Sequence, residues 1–205
     1  MRERFLSVFV NLNVPYYSQR DNQIDALGTC GATSSAMCLS YFGVADPGPM
    51  TQYEDDVKRE FDRLGFDHHA PAGIKRLLEH MHLRDELLLD ARLSDITAAL
   101  DQSKVCILHG YFTVHGHIIV IRGYDSNGNF IVNDPNGEWQ FGGYLKNSSA
   151  HPDNKGENKT YTRRLISTAG NTYTYGDALS AYQNWSDHKV ENTATMWLHA
   201  VSKPS

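Results

Sequence analysis

Apolar positions in the first half of the chain recur at helical spacing. Ala32, Ala36, Met37, Leu39 and Phe42 follow the segment Gly28-Thr29-Cys30-Gly31 until Gly43 stops the pattern, which predicts a helix with Cys30 in its opening turn. Val57, Phe61 and Leu64 mark the buried face of a second helix, entered through Thr51-Gln52-Tyr53-Glu54, a stretch of capping-box form. A third is expected from Pro71, a residue suited to a first helical turn, through Leu77, Leu78 and Met81. A fourth is expected over Ser94 to Leu100, with Ser94 as N-cap.

From Val105 the period changes. VCILHGYFTV, HIIVIRGY and FIVND are β-type runs, and Asp125-Ser126-Asn127-Gly128-Asn129 between the last two carries hairpin-turn chemistry. FLSVFV and VPYYS read as short strands or an extended entry segment, the closing TMWLHAVS as a strand, Gln19 to Gly28 as a loop, and Tyr175 to Trp185 as a short helix. The Gly, Asn, Ser and Lys content between about Trp139 and Asn171 suggests long loops. The pattern as a whole predicts an α+β fold: a helical lobe packed on an antiparallel sheet. At 205 residues the chain is expected to be one domain, 1–205, with one core.

Composition narrows the function. A formal net charge of −5 gives no electrostatic reason to bind a phosphate backbone, so no nucleic-acid partner is expected. Apolar runs such as Ile118 to Ile121 fall far short of the roughly 20 residues that span a bilayer. The basic, briefly apolar start is interrupted by Ser7 and Asn11 and lacks a small-residue cleavage site, so no signal peptide is read there. The expectation is a protein of the cytoplasm, or one carried by a phage, without membrane insertion.

The three cysteines, Cys30, Cys38 and Cys106, are odd in number and irregularly spaced, which suggests free thiols rather than a disulfide framework or zinc pair. Cys38 and Cys106 read as core residues. Cys30 differs, because a glycine-flanked thiol at a helix start sits in partial positive charge and leaves room for a carbonyl to approach. A thiol also needs a base to become the attacking thiolate. His117, heading HIIVIRGY after Gly116, is the best placed of the ten histidines. Asp134 ends the partner strand of the same hairpin, about 5 Å away by strand spacing, and can orient the imidazole.

VPYYSQRDN, GTCGATSSAMCLSYFG and GHIIVIRGYDSNGNFIVNDPNGEW, in that order, resemble the papain-like cysteine peptidases related to those that cut double-glycine leaders from bacteriocins. The likeness spans roughly 13–139 and leaves 140–205 as a variable C-terminal part. It implies a papain-like fold, peptide-bond hydrolysis without a cofactor, Cys30 as nucleophile, His117 as base and Asp134 as orienting acid. It also implies an upstream glutamine whose amide helps stabilise the oxyanion; Gln19 is preferred for this and Gln23 is the alternative. No transporter sequence accompanies the motifs, and NDPNGEWQFGGY, GENKTYTRRLI and MWLHAVSK are similar to stand-alone bacterial and phage homologues. That similarity suggests peptidoglycan peptides as substrate, in the manner of an endolysin, with protein or propeptide processing as the alternative. An inactive binding module that retains the fold is the competitor from another class.

Other histidine and acid clusters point elsewhere. His115-Gly116-His117 invites a metal reading, but no nearby Cys or Glu completes a zinc set. His68-His69, and His80 with His82, read as solvent-facing. Asp125, Asn127 and Asn129 lack the terminal glutamate of a calcium loop, so turn chemistry accounts for them. Trp139, Trp185 and Trp197 are either core or groove residues.

Overall fold

The computed structural model describes residues 9–49, 52–144, 155–185 and 194–204. Its elements run β1 (Val10–Asn11), α1 (Cys30–Tyr41), α2 (Tyr53–Leu64), α3 (Pro71–His80), β2 (Arg84–Ala91), α4 (Leu93–Asp101), β3 (Val105–Gly110), β4 (His117–Tyr124), β5 (Phe130–Asn133), β6 (Trp139–Gln140), β7 (Gly143–Tyr144), β8 (Lys159–Tyr161), α5 (Arg163–Gly170), α6 (Tyr175–Gln183) and β9 (Met196–Ser202). The main sheet has the order β2-β9-β3-β4-β5-β8, with β1 added alongside β4, and all its pairings are antiparallel. The fold is α+β, as the sequence pattern predicts.

Helices cover both faces of this sheet, which explains why β3 and β4 read as nearly unbroken apolar runs. Val105, Ile107, Ile118 and Val120 face α1, α2 and α3, packing with Met37, Leu39, Phe61 and Ile74. The alternate residues Cys106, Leu108, Ile119 and Ile121 face α4 and α5, against Ile96, Leu100, Leu165 and Ile166. Period-two alternation thus feeds two cores.

α1 is buried along almost its whole length. Its polar residues are bonded internally: Ser34 Oγ donates to the Ile118 carbonyl at 3.1 Å, Ser35 Oγ to the Gly31 carbonyl at 2.8 Å, and Thr33 Oγ1 accepts from Asn22 Nδ2 at 3.1 Å. Gly31 has a packing reason. A methyl at that position would overlap the His68 carbonyl oxygen and crowd Ile118, so the 65–70 connection rests directly on the first turn of α1.

Several expectations need correction. α4 begins at Leu93, with the N-cap at Arg92, two residues before the expected Ser94, because Asp95 reaches back to accept the Arg92 N–H at 2.7 Å. β2 had no counterpart in the sequence reading: Leu87-Leu88-Leu89 lacks strict alternation, and β2 is an edge strand paired only with β9. The stretch expected as long loops contains the β6–β7 hairpin, β8, and α5 capped by Thr162, whose Oγ1 accepts the Leu165 N–H at 3.1 Å. Of the two readings of the entry segment, VPYYS forms no strand, and among the described residues before it Val10–Asn11 pairs with β4. Most of FLSVFV and the Thr51 end of the expected capping box lie outside the described residues.

Candidate active site

Cys30 is the first residue of α1, 9% exposed, with its backbone N–H at the positive end of the helix. Burial by itself would raise this thiol, but hydrogen bonds to the sulfur from His117 and His69, the charge of His117 and a bond from the Ile118 backbone outweigh it and bring it down to about 6. Burial pushes Cys38 well above the ordinary thiol value, and Cys106 up to about 12. All three are free thiols; only Cys30 has imidazole partners.

His117 opens β4, where Gly116 at φ 79° turns the chain into the strand. Its Nε2 donates to Asp134 Oδ1 at 2.7 Å, which leaves Nδ1 for the Cys30 sulfur. Burial disfavours its charged form, but Asp134 and Cys30 prevail and raise the imidazole to about 10. Phe112 and Tyr144 flank the ring edge-on, at centroid distances of 6.4 and 5.4 Å.

Asp134 lies just past β5 and is fully buried. Its carboxylate is well satisfied. Oδ1 also accepts the Asn136 N–H at 3.0 Å, and Oδ2 accepts the Tyr144 and Tyr161 hydroxyls, each at 2.7 Å. Burial and the neighbouring carboxylate keep both tyrosines well above their ordinary value, hence protonated donors.

Gln19 and Gln23 are now distinguishable by position. Gln23 is exposed, with its backbone N–H bonded to Asp55. Gln19 is 3% exposed, its backbone N–H donates to the Pro135 carbonyl at 2.9 Å, and its Nε2 donates to the carbonyls of Ala26 and Leu27 at 3.1 and 3.3 Å. Both amide hydrogens are therefore committed to the turn that leads into Cys30, and Oε1 is buried without a partner.

A cleft of about 270 Å³ opens over Cys30 and His117, lined also by His69, His109, Tyr173 and Trp197. Among the described residues no acidic side chain and neither lysine nor arginine lines it. His68 and His69 do not both face solvent as expected: His68 is buried, and His69 reaches the Cys30 sulfur, its own proton affinity raised chiefly by that bond. Its only sequence signal was its place in a short helix-helix connection. Trp197 is 44% exposed at the cleft, whereas Trp139 is buried. Trp185 is outside any described strand or helix. Among the described residues no group of His, Cys, Asp or Glu is arranged to hold a metal ion, and no helix is long and apolar enough to cross a membrane.

The profile of the Peptidase C39-like family matches residues 11–164. A solved structure described as a putative C39-like peptidase from Bacillus anthracis is similar over 97% of this chain and 99% of its own, at 14% identity and a TM-score of 0.52. A structure of UfSP from C. elegans is similar over 98% of this chain and 35% of its own, at 16% identity and a TM-score of 0.51. A double glycine motif protease from an AMS/PCAT transporter, solved with its leader peptide, shares 18% identity over 72% of this chain and 91% of its own, at a TM-score of 0.43. No curated protein matches the chain.

Proposed function

Since the chain belongs to the Peptidase C39-like family and is a cysteine peptidase, we propose that it hydrolyses peptide bonds with Cys30 as nucleophile, His117 as general base and acid, and Asp134 as the orienting carboxylate. The observation that carries this reading is the meeting of the Cys30 thiol and His117 at one cleft, with His117 held from behind by the buried Asp134 carboxylate at 2.7 Å.

The geometry supports the following course. His117 Nδ1 takes the thiol proton, and Asp134 stabilises the imidazolium so formed. The thiolate attacks the scissile carbonyl, and the developing oxyanion meets the Cys30 N–H at the start of α1. Gln19 braces the 26–27 turn through its Nε2, and its proposed part at the oxyanion requires one of those two carbonyl bonds to be given up when substrate binds. Imidazolium Nδ1–H then protonates the leaving amine. Water, deprotonated by His117, releases the acyl group from sulfur. These steps require no cofactor.

Peptides of bacterial cell wall are the substrate class we favour, in an endolysin-type role. The support is the likeness of NDPNGEWQFGGY and the segments after it to stand-alone bacterial and phage homologues, together with a cleft that, among the described residues, is lined by no aspartate, glutamate, lysine or arginine. Incubation with purified cell walls should release new amino groups, and Cys30→Ala should abolish the release. Intact walls with cleavage of a Gly-Gly peptide would make it a processing protease instead. Slow and equal iodoacetamide labelling of Cys30, Cys38 and Cys106 would overturn the enzyme reading in favour of an inert binding module.

A further inference from the structure

A second buried relay ends in the same cleft. His109 on β3, His199 on β9 and Asp85 on β2 point to the sheet face that carries α1, and their exposures are 9%, 0% and 3%. His109 Nε2 lies 3.1 Å from His199 Nε2, and His199 Nδ1 lies 2.6 Å from Asp85 Oδ2. The chemistry proposed for Cys30 uses none of these groups. His109 itself lines the cleft, edge-on to Trp197 at a centroid distance of 6.1 Å.

Proton counting fixes what His109 offers there. Among the described residues Asp85 Oδ1 is buried without a hydrogen-bond partner, and His199 is the side chain bonded to this carboxyl group. Among the described residues no other charged or titratable neighbour bonds this carboxyl group: Lys75 of α3 donates to the Asp85 backbone carbonyl and is paired with Glu79, Cys38 of α1 stays a thiol, and His69 lies at the cleft end. A lone anion in this position is costly, which favours a relay carrying one extra proton and no net charge. That proton resides either on Asp85 or on His199. In both cases His199 Nε2 bears hydrogen and donates to His109 Nε2, so the hydrogen of neutral His109 is on Nδ1. Burial, with His199 and His69 nearby, pushes the His109 imidazole down to about 3, so the ring takes up no second proton near neutrality.

We infer that His109 is a substrate-binding residue whose Nδ1–H donates to an acceptor oxygen, carbonyl or carboxylate, of the bound peptide beside Trp197, with His199 and Asp85 as positioning residues that hold this polarity. The inference rests on the peptidase reading for the identity of the ligand, but the tautomer does not.

Nitrogen-15 NMR of the histidine side chains in the full chain tests the polarity without substrate: His109 should be the Nδ1–H tautomer, and an Nε2–H tautomer would overturn the inference. In the same spectra His199 should carry hydrogen on Nε2, whichever of Asp85 and His199 holds the extra proton; a bare His199 Nε2 counts against the relay. With a cleavable peptide, His109→Phe should raise KM about tenfold with kcat within about twofold, the size expected for one lost hydrogen bond. An unchanged KM sinks the binding role. Comparing a peptide free acid with its C-terminal amide identifies the oxygen: a loss confined to the acid marks a carboxylate, and equal losses mark a carbonyl. If no peptide is cleaved at all, the peptidase reading fails while the NMR result stands on its own.

Discussion

Asp134 holds His117 through one carboxylate oxygen, Oδ1 to Nε2 at 2.7 Å, while Tyr144 and Tyr161 clamp the other at the same distance. Every donor around this carboxylate is aimed at an acceptor. Asp134→Asn must turn its NH₂ either toward the imidazole, where donor faces donor, or toward the two hydroxyls, which must then turn from donating to accepting. It also removes the charge that supports the imidazolium. The expected outcome is a fall in kcat of about a hundredfold or more with a folded protein, measured by peptide hydrolysis alongside circular dichroism. Activity within a few-fold of the unmodified chain would remove Asp134 from the proposed machinery.

The pH dependence follows from the same line of groups. Cys30 loses its proton at about 6, below the ordinary thiol value, because the hydrogen bonds from His117 and His69 overcome its burial. Thiolate is therefore present above that pH and lost as pH falls through it. His117, raised to about 10, keeps the proton needed by the leaving amine until pH climbs through that value. The rate of iodoacetamide labelling at Cys30 should rise with a midpoint near 6, and peptidase activity should hold from there to about 10. In His117→Ala the labelling midpoint should move toward about 8.5, the value of an unassisted thiol.

His69 should act on the thiol without being indispensable. It bonds the Cys30 sulfur but is itself exposed, and among the described residues no carboxylate is hydrogen-bonded to its ring. His69→Gln is expected to move the labelling midpoint upward by less than His117→Ala does, and to cost less than about tenfold in kcat. A loss equal to that of His117→Ala would make His69 the principal base.

Local chemistry made the Cys30–His117–Asp134 constellation legible. A glycine-flanked cysteine opens a helical pattern, and the histidine and aspartate head and follow adjacent strands joined by Asp125-Ser126-Asn127-Gly128-Asn129, where Asp125 Oδ1 accepts the N–H groups of Asn127 and Asn129. His69 was not legible, because it arrives through the stacking of the 65–70 connection on Gly31, a tertiary contact without periodic signature. Tyr144 and Tyr161 were hidden in a polar, glycine-rich stretch where short strands bury few residues. His109 and His199 meet only because β9 inserts between β2 and β3, a pairing across 90 positions that no short motif encodes.

Gly31 offers a direct test of how the site is assembled. In most helices a glycine replaced by alanine gains up to about 1 kcal/mol. At Gly31 the new methyl meets the His68 backbone carbonyl, which has no rotamer by which to move away. Gly176, near the start of α6, is the control, since a methyl there finds only Thr174 Oγ1 at 3.9 Å. Gly176→Ala should leave thermal stability unchanged or slightly improved. Gly31→Ala should lose about 1–3 kcal/mol, a fall in Tm of roughly 2–12 °C for a chain of this length. Because the displaced connection carries His69 with it, Gly31→Ala should also raise the Cys30 labelling midpoint, as His69→Gln does. Stability lost with no change in labelling would mean that the helix start and the 65–70 connection are coupled in packing alone.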